Sequence, residues 1–165
     1  MKIHKLNFGD KWPSKGCVFM EIRLATVNDA DDLFELNTLF ENSTSKKLIK
    51  ESIVSNEREI VCLAYVDNVA VGYCTGLVVK SMCYSEARAD IEALYVKEEY
   101  RKRGVGETLI SFLENTFIER GIYHFHINTF EKNSIAQSLY AKIGYKKTRE
   151  ILLDKTISRE NAPTN

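Results

Sequence analysis

The spacing of apolar positions changes several times along the chain, which predicts a domain that mixes strands with helices. Apolar and polar residues alternate over residues 22–27, and this period of two predicts a first strand. Two apolar runs joined through Asp67-Asn68 predict a tight hairpin, because Asp and Asn accept the turn's left-handed backbone. The later predicted strands are 59–66, 69–79, 87–96, 124–129 and 146–155.

Other segments repeat their apolar residues at helical spacing and start at residues that cap helices. The predicted helices run from Asn28-Asp29 to about Glu41, from Ser45 to about Asn56, over 107–120 ending at Gly121, and over 134–143 after Asn133. The resulting order, β-α-α-β-β-β-α-β-α-β, indicates an α/β (mixed α+β) fold class.

Length and composition indicate one globular domain with flanking segments. Residues 1–19 are weakly periodic and predict an N-terminal extension of uncertain role, 20–157 predict the domain, and 158–165 predict a flexible polar tail. The 23 basic and 23 acidic residues cancel, so no global field recruits nucleic acid or an anionic membrane. No apolar run is long enough to span a bilayer, and no secretory signal precedes the domain, so we expect a cytoplasmic protein. The four cysteines and three histidines show no metal-ligand spacing, so no metal is expected.

A basic, glycine-containing turn stands between the predicted strand 87–96 and the helix that follows it. The turn reads Arg101-Lys102-Arg103-Gly104-Val105-Gly106. Glycines let backbone N–H groups approach a phosphate, the positive end of the helix points to the same place, and the cations supply counter-charge. The turn therefore predicts a pyrophosphate site, although a basic surface turn that simply leads into a helix would look similar.

A second motif, Asn133 through Tyr145, lies some thirty residues downstream and favours the phosphate interpretation. Together the two motifs resemble the GNAT superfamily of acetyl-CoA-dependent N-acetyltransferases. Val96, Arg101, Gly104 and Gly106 match V-x4-[RQ]-x-x-G-x-[GA], and the second segment matches N-x-x-A-x-x-[LF]-Y-x-K-x-G-[FY]. The resemblance covers roughly residues 20–155. It implies a GNAT fold, with a central twisted, mostly antiparallel sheet of six to seven strands flanked by four helices.

The resemblance also assigns acetyl-CoA as co-substrate and a set of residues that bind it. It implies that the main chain of Leu94, Tyr95 and Val96 pairs with the pantetheine amides. It implies that Asn133 bonds the pantetheine arm and that Tyr140, near the sulfur, donates a hydrogen bond to the leaving thiolate. The residues implied around the pyrophosphate are Arg101, Lys102, Arg103, Gly104, Val105, Gly106, Glu107 and Thr108.

The general base is expected on the strand that precedes the turn, because a protonated amine cannot attack a thioester. Strand alternation predicts that Asp90, Glu92, Leu94 and Val96 project from one face. Acids four and six residues before Val96 fall where the resembled enzymes place the base or a water-holding residue. Glu92 is the first candidate and Asp90 the second; the alternative for either is a solvent-facing or salt-bridged strand acid.

The acceptor site is expected between the first two helices, the loop 80–86 and the segment 129–132. Four acids make the first helix region locally acidic and suit a cationic amine such as an aminoglycoside or a polyamine, and four aromatic residues could line the site. These residues are Asp31, Asp32, Glu35 and Glu41, and Phe34, Phe40, Tyr73 and Tyr84. Helix-start acids also serve the helix dipole, and aromatic residues also pack in cores.

The predicted function is N-acetyl transfer from acetyl-CoA to a primary amine of a small molecule (an aminoglycoside, a polyamine or an amino-acid-like compound), by direct attack in a ternary complex. Two alternatives stay open: a protein or peptide N-acetyltransferase, and a non-catalytic acyl-CoA-binding regulatory module. Glu107 and Leu109 break both the dinucleotide and the P-loop phosphate motifs, which argues against a nucleotide-binding domain. Dimers are frequent in the resembled superfamily, so a homodimer is among the expected assemblies; no nucleic-acid or membrane partner is expected.

Overall fold

The computed structural model describes the backbone of residues 3–7 and all of residues 19–156. The chain forms two compact units, Met1–Phe130 and Glu131–Asn165. The strands are β1 Ile3–Asn7, β2 Phe19–Leu24, β3 Glu59–Val66, β4 Val69–Val79, β5 Arg88–Val96 and β6 Phe125–Ile127, and the helices are α1 Ala30–Leu39, α2 Lys46–Ser55, α3 Val105–Ile118 and α4 Ser134–Lys142. The predicted tail 158–165 and most of the predicted extension 1–19 lie outside the described residues.

Within the described residues, the six strands form one sheet in the order β1-β2-β3-β4-β5-β6. All neighbouring strands are antiparallel except β5 and β6, which run parallel. The structure thus confirms a mixed α/β fold with a mostly antiparallel sheet and four helices in the described part of the chain. The strand β1 belongs to the predicted extension and pairs with β2 along its whole length.

The strand predicted at residues 146–155 is absent from the structure, and that prediction is wrong. Residues 146–156 have no strand or helix, and Ile151, Leu152 and Leu153 are each more than 80% exposed. Apolar character alone does not make a strand, because the segment also needs a neighbour that satisfies its backbone groups.

The helix caps follow the sequence in two cases and depart from it at α1. The Ser45 hydroxyl accepts the Leu48 N–H at 3.2 Å, and the Asn133 side chain accepts the Ala136 N–H at 3.1 Å. Before α1, a short 3-10 turn covers Val27–Asp29. The Asp29 carboxylate does not cap α1 but binds the Arg23 guanidinium at 2.6 and 2.8 Å.

Helices pack on both faces of the sheet. On one face, Leu33 and Leu36 of α1 join Leu63, Ala70 and Tyr73 in a buried cluster. The α3 side of the sheet carries two fully buried cysteines, Cys62 and Cys74, and the Cys62 thiol donates to the Leu109 carbonyl of α3 at 3.8 Å. The sheet therefore has one face that is covered by α1 and α2 and an opposite face that is covered by α3.

No helix in the described part of the chain is both long and apolar enough to cross a bilayer.

Candidate active site

A β-bulge in β5 places Glu92, the first candidate base. Thr75 of β4 pairs with Ala93, and the next β4 residue, Gly76, pairs with Ile91, so Glu92 is the extra residue of β5. A bulge breaks the alternation of side chains and re-aims the residues around it. Glu92 therefore has no partner in the β4 ladder, and the faces before and after it are out of phase.

This bulge corrects the prediction that four β5 residues share one face. Asp90 pairs with Leu77 and lies, with Glu92, on the α1/α2 side of the sheet. Leu94 pairs with Cys74, which is fully buried on the α3 side, so Leu94 faces α3. Val96, two residues further along, shares that side. The two acids are thus on the predicted common face, whereas Leu94 and Val96 are not.

A groove of about 420 Å³ opens on the α1/α2 side between the two helices and strands β3–β5. Its lining is mostly neutral, with apolar side chains beside the amides of Asn37 and Asn42 and the hydroxyl of Ser52. Glu59 and Glu92 are the charged residues that line it. The groove combines an apolar wall, neutral hydrogen-bonding groups and two carboxylates, a combination that suits a polar cationic ligand.

Glu92 has the properties of a base that is accessible from the groove. Its side chain is exposed, and among the described residues it makes no ion pair. Partial burial, followed by the charges of Asp90 and Glu59, raises the pKa of the Glu92 carboxyl above its usual value. A carboxylate with a raised pKa holds a proton more tightly, and so accepts one from an ammonium at a smaller energetic cost.

Asp90, the second candidate base, is held by an ion pair. Its two carboxylate oxygens receive Arg88 Nε at 2.8 Å and a terminal Arg88 nitrogen at 3.2 Å. The Nδ1 atom of His126 lies 3.9 Å from the same carboxylate. Asp90 does not line the groove. Its surroundings match the alternative of a salt-bridged strand acid.

The acids that the sequence assigned to the acceptor lie outside the groove. Asp31 pairs with Lys46 at 2.6 Å, and Glu35 pairs with Lys97 at 2.7 Å. Asp32 accepts the hydroxyl of Tyr65 at 2.8 Å. None of these, nor Glu41, lines the groove. Asp31 and Glu35 are thus paired with lysines, and Asp32 is hydrogen-bonded to a tyrosine.

Of the four aromatic candidates, one lines the groove. Tyr73 is buried at its floor, and its hydroxyl donates to Asn37 at 2.6 Å. Phe40 packs edge-on against Tyr73, with 6.4 Å between ring centroids. Phe34 lies beneath the Lys46 ammonium, and Tyr84 is 68% exposed in the loop 80–86. No residue of that loop contributes to the groove.

The glycine turn adopts a conformation that sequence reasoning identified only in part. Gly104 has φ 86° and stands directly before the first residue of α3, and Lys102 also has a positive φ of 60°. Alternating left-handed residues turn successive N–H groups towards one side, the arrangement of anion-binding nests. The helix supplies no acceptor for the N–H groups of Val105 and Gly106, which lie in its first turn.

Two of the predicted phosphate-binding amides are already used within the turn. The Arg101 N–H donates to the Glu98 carbonyl at 3.1 Å, and the Thr108 N–H donates to the Gly104 carbonyl at 2.9 Å. The Arg101 side chain also donates to the Val96 carbonyl at 2.9 Å. The amides of residues 102–107 therefore remain the candidate phosphate contacts of the turn.

The far edge of β5 is open beyond its pairing with β6. Parallel pairing covers Ala89–Ile91 and stops there, and no other described strand adjoins residues 92–96. Lys97 N–H donates to Val71 of β4 at 2.8 Å, so the backbone groups of Tyr95 also point to β4 by alternation. Those of Leu94 and Val96 then point to the open edge. The predicted pantetheine contact at Tyr95 lacks available main-chain groups on that side.

The unit Glu131–Asn165 carries the second motif. Asn133 caps α4, as predicted, and Tyr140 lies in the second turn of that helix. Tyr140 is half-buried, and its ring centroid lies 6.1 Å from that of Tyr145.

Sequence reasoning missed three features of the site. The bulge at Glu92 has no signal in a strand without glycine or proline. The left-handed backbone of Lys102 likewise has no signal in the sequence. Glu59 was read only as the start of a strand, yet an acid at the first position of an otherwise apolar run is a signal that could have marked it.

The model of the acetyltransferase (GNAT) family matches residues 27–145. An acetyltransferase of Yersinia pestis (strain Pestoides F) is 28% identical over 141 residues, which cover 84% of this chain and 96% of that protein. An aminoglycoside acetyltransferase from an uncultured soil metagenomic sample superimposes with a TM-score of 0.75 at 18% identity, covering 84% of this chain and 97% of the other. An aminoglycoside N-acetyltransferase in complex with CoA superimposes with a TM-score of 0.76 at 19% identity, covering 87% of this chain and 98% of the other.

The ribosomal-protein-alanine N-acetyltransferase from Brucella melitensis biovar Abortus 2308 has a TM-score of 0.71 at 16% identity, covering 83% of this chain and 99% of the other. These likenesses agree on the fold, and the family model spans most of the chain. The chain therefore belongs to the acetyltransferase (GNAT) family and is an acyltransferase with acetyl-CoA as co-substrate.

Proposed function

We propose that the protein transfers an acetyl group from acetyl-CoA directly to a primary amine of a small cationic molecule, in a ternary complex. The observation that carries this proposal is the double role of β5. On one side its bulge presents Glu92 to the groove, and at its far edge Leu94 and Val96 lead to the turn before α3. An acceptor in the groove and a donor along the open edge would meet at one strand.

We assign the backbone sites of Leu94 and Val96 to the pantetheine arm and the turn from Lys102 to Glu107 to the pyrophosphate. The basic side chains and the positive end of α3 favour a phosphate here, and glycine at the left-handed position leaves the approach clear. Asn133 stays a predicted pantetheine contact, which is compatible with its capping bond.

Glu92 acts as the general base in this proposal. An alkyl ammonium with a pKa near ~10.4 is neutral in only about one molecule per thousand at pH 7. Glu92 removes the proton from the bound ammonium, directly or through one water, and the amine nitrogen then attacks the thioester carbon. A C–N bond forms, the C–S bond breaks and its electrons pass to sulfur. The nitrogen then loses its remaining extra proton to the thiolate, directly or through water, to give the amide and the CoA thiol. Glu92 is preferred over Asp90 because Arg88 occupies both oxygens of Asp90.

Tyr140 donates a hydrogen bond to the departing thiolate. In water, full proton transfer from a phenol with a pKa of ~10 to a thiolate whose thiol has a pKa of ~8.5 is uphill by roughly 2 kcal/mol. The hydrogen bond is therefore the main contribution of Tyr140. The assignment rests on the place of Tyr140 in the second motif.

Direct attack is favoured over an acetylated enzyme. Among the described cysteines, Cys62 and Cys74 are fully buried, and burial raises the pKa of the Cys74 thiol. Cys83 is exposed but lies in the loop 80–86, which contributes no residue to the groove. We expect intersecting initial-velocity lines when both substrates are varied, and parallel lines would contradict direct transfer.

The lining of the groove favours a small cationic acceptor, with an aminoglycoside as one candidate. Carboxylates and neutral amides suit a ligand with ammonium and hydroxyl groups. Two of the structural neighbours are named aminoglycoside acetyltransferases, and another is named a ribosomal-protein-alanine N-acetyltransferase. A panel of aminoglycosides, polyamines and peptides, assayed by CoA release, separates these acceptors. A cytoplasmic location and a homodimer stay predictions.

The decisive test of Glu92 compares Glu92→Gln with Asp90→Asn. Glu92→Gln is expected to lower kcat/KM by about 10²–10⁴-fold, with the Kd for acetyl-CoA unchanged. Asp90→Asn removes the same charge from the neighbouring position and is expected to cost far less. Because the Glu92 carboxyl must be ionised and its pKa is raised, wild-type activity falls with acid at a higher pH than an ordinary glutamate would give. Equal losses in the two variants, or an unaltered pH profile in Glu92→Gln, would remove Glu92 from this role.

A further inference from the structure

The two carboxylates of the groove differ in how they are held. Glu92 makes no hydrogen bond to any other described residue, whereas Glu59 is anchored by α2. The Ser52 hydroxyl and the Asn56 side-chain amide, the latter at 3.3 Å, both donate to the same Glu59 oxygen, Oε2. The Oε1 atom of Glu59 accepts no hydrogen bond within residues 19–156. Glu59 therefore presents one fixed oxygen to its surroundings.

Neither carboxylate of the groove is neutralised by the protein. No arginine or lysine lines the groove, and across the described residues no ion pair involves Glu59 or Glu92. The two charges also affect each other, because Glu59 is one cause of the raised pKa of Glu92. The acids on α1, by contrast, all have partners. A cationic ligand would supply the missing counter-charge.

The sheet fixes the separation of the backbones that carry the two carboxylates. Glu59 pairs with Leu77 of β4, and Leu77 pairs with Asp90 of β5, so their strands are two spacings apart. At 4.7–4.9 Å a spacing, the backbones are roughly 10 Å apart, and Glu92 lies two residues along β5 from Asp90. Two amino groups on one molecule can therefore each contact one carboxylate, with Glu59 held by α2 at the β3 side of the groove and Glu92 standing on β5.

We propose that Glu59 binds a second ammonium group of the acceptor, so that the groove selects molecules with two or more amino groups over monoamines. The proposal rests on the proposed function, in which Glu92 receives the amine that is acetylated. Glu59 positions the acceptor, and the neutral side chains between the two acids contact its uncharged part. A monoamine would leave one of the carboxylates without a cation.

Calorimetric titration with 1,6-diaminohexane and with hexylamine, at one ionic strength, tests the proposal on the full chain. The diamine is expected to bind wild-type protein about ten-fold more tightly. Glu59→Gln, whose amide oxygen can still accept from Ser52, is expected to lower diamine affinity to that of hexylamine and to leave hexylamine binding unchanged. Glu57→Gln removes the same charge from an exposed residue outside the groove and is expected to change neither.

Ser52→Ala gives a second variant that keeps the carboxylate and removes one of its anchors. It is expected to weaken the diamine several-fold and to spare hexylamine. Equal affinities of wild-type protein for the two amines, or no measurable binding of the diamine, would overturn the proposal. An equal loss for both amines in Glu59→Gln would do the same, since it would reveal only a general charge effect.

The two proposals fail in different ways. If the diamine shows no preference while Glu92→Gln still abolishes CoA release, only the role of Glu59 is wrong. If Glu59 discriminates between the amines but no amine in the acceptor panel releases CoA, the proposed function is wrong and the groove is a binding site for diamines.

Discussion

Replacing Gly104 by alanine separates the folding role of the turn from its proposed role in phosphate binding. Gly104 has φ 86° and ψ −6°, a left-handed conformation at the start of α3. An L-residue with a Cβ pays about 1–2 kcal/mol in this region. The same methyl group would also project from the turn, where backbone N–H groups are proposed to contact the pyrophosphate.

The other end of the same helix provides a matched control. Gly121 follows α3 with φ 78°, its N–H donates to Ile118 at 2.9 Å, and a Cβ built there meets nothing within 4 Å. Gly121→Ala therefore carries a similar backbone strain without crowding. At about 2–4 °C for each kcal/mol in a chain of this size, both variants should lower the melting temperature by roughly 2–8 °C.

The variants should differ in CoA binding. Calorimetry with acetyl-CoA is expected to show a loss of at least about ten-fold, or ~1.4 kcal/mol, in Gly104→Ala and no change in Gly121→Ala. If Gly104→Ala melts as expected but binds acetyl-CoA normally, the turn is not the phosphate site. If both variants lose affinity equally, backbone strain in α3 explains the effect, and not a methyl group that blocks the pyrophosphate.

Three further changes test other parts of the molecule. Tyr140→Phe is expected to slow turnover by about 10–10⁴-fold with little change in CoA affinity, whereas Tyr145→Phe, its ring neighbour, should stay near wild type; equal rates under chemistry-limited conditions would contradict the donor role. Gly72→Ala would bring a Cβ to 2.6 Å from a β5 carbonyl oxygen, so circular dichroism melting should show destabilisation, and an unchanged melting temperature would refute this close packing. Burial opposes ionisation of Asp29, but hydrogen bonds, from Arg23 first, outweigh it and hold the pKa of its carboxyl well below the usual range. The resulting stability is present above the unfolded pKa of about 4 and is lost as the pH falls through the folded value; Asp29→Asn should therefore cost about 3 kcal/mol at pH 7 in urea unfolding and less at pH 3.

The sequence predicted those elements whose signals are local. The Asp67-Asn68 turn has positive φ at both residues, as its residue types indicated. Ser45 and Asn133 make the capping bonds that their side chains predicted. In each case the residue and its partner lie within a few positions of each other, so the physics that fixes the structure is contained in a short segment.

Predictions that depended on distant neighbours were less secure. Period-two alternation correctly placed Asp90 and Glu92 on one face and wrongly extended that face to Leu94, because the bulge is set by the pairing with β4. The acids of α1 were assigned to the acceptor, yet Asp31 and Glu35 meet lysines from outside α1. Glu35 and Lys97 are far apart in the chain, and no pattern in either segment predicts their ion pair.

The bulge gives β5 the means to serve two ligands at once. In a regular strand, Glu92 and Leu94 would share a face, so a carboxylate aimed into the groove would place Leu94 there too. The extra residue lets Glu92 face the groove while Leu94 turns its side chain to α3, where its partner Cys74 is fully buried. Beyond the bulge, β5 keeps its pairing with β4, while its other side has no strand partner in the described sheet. Under the proposed function, a shift of this bulge by one residue would carry the base to the wrong face, even if every side chain were kept.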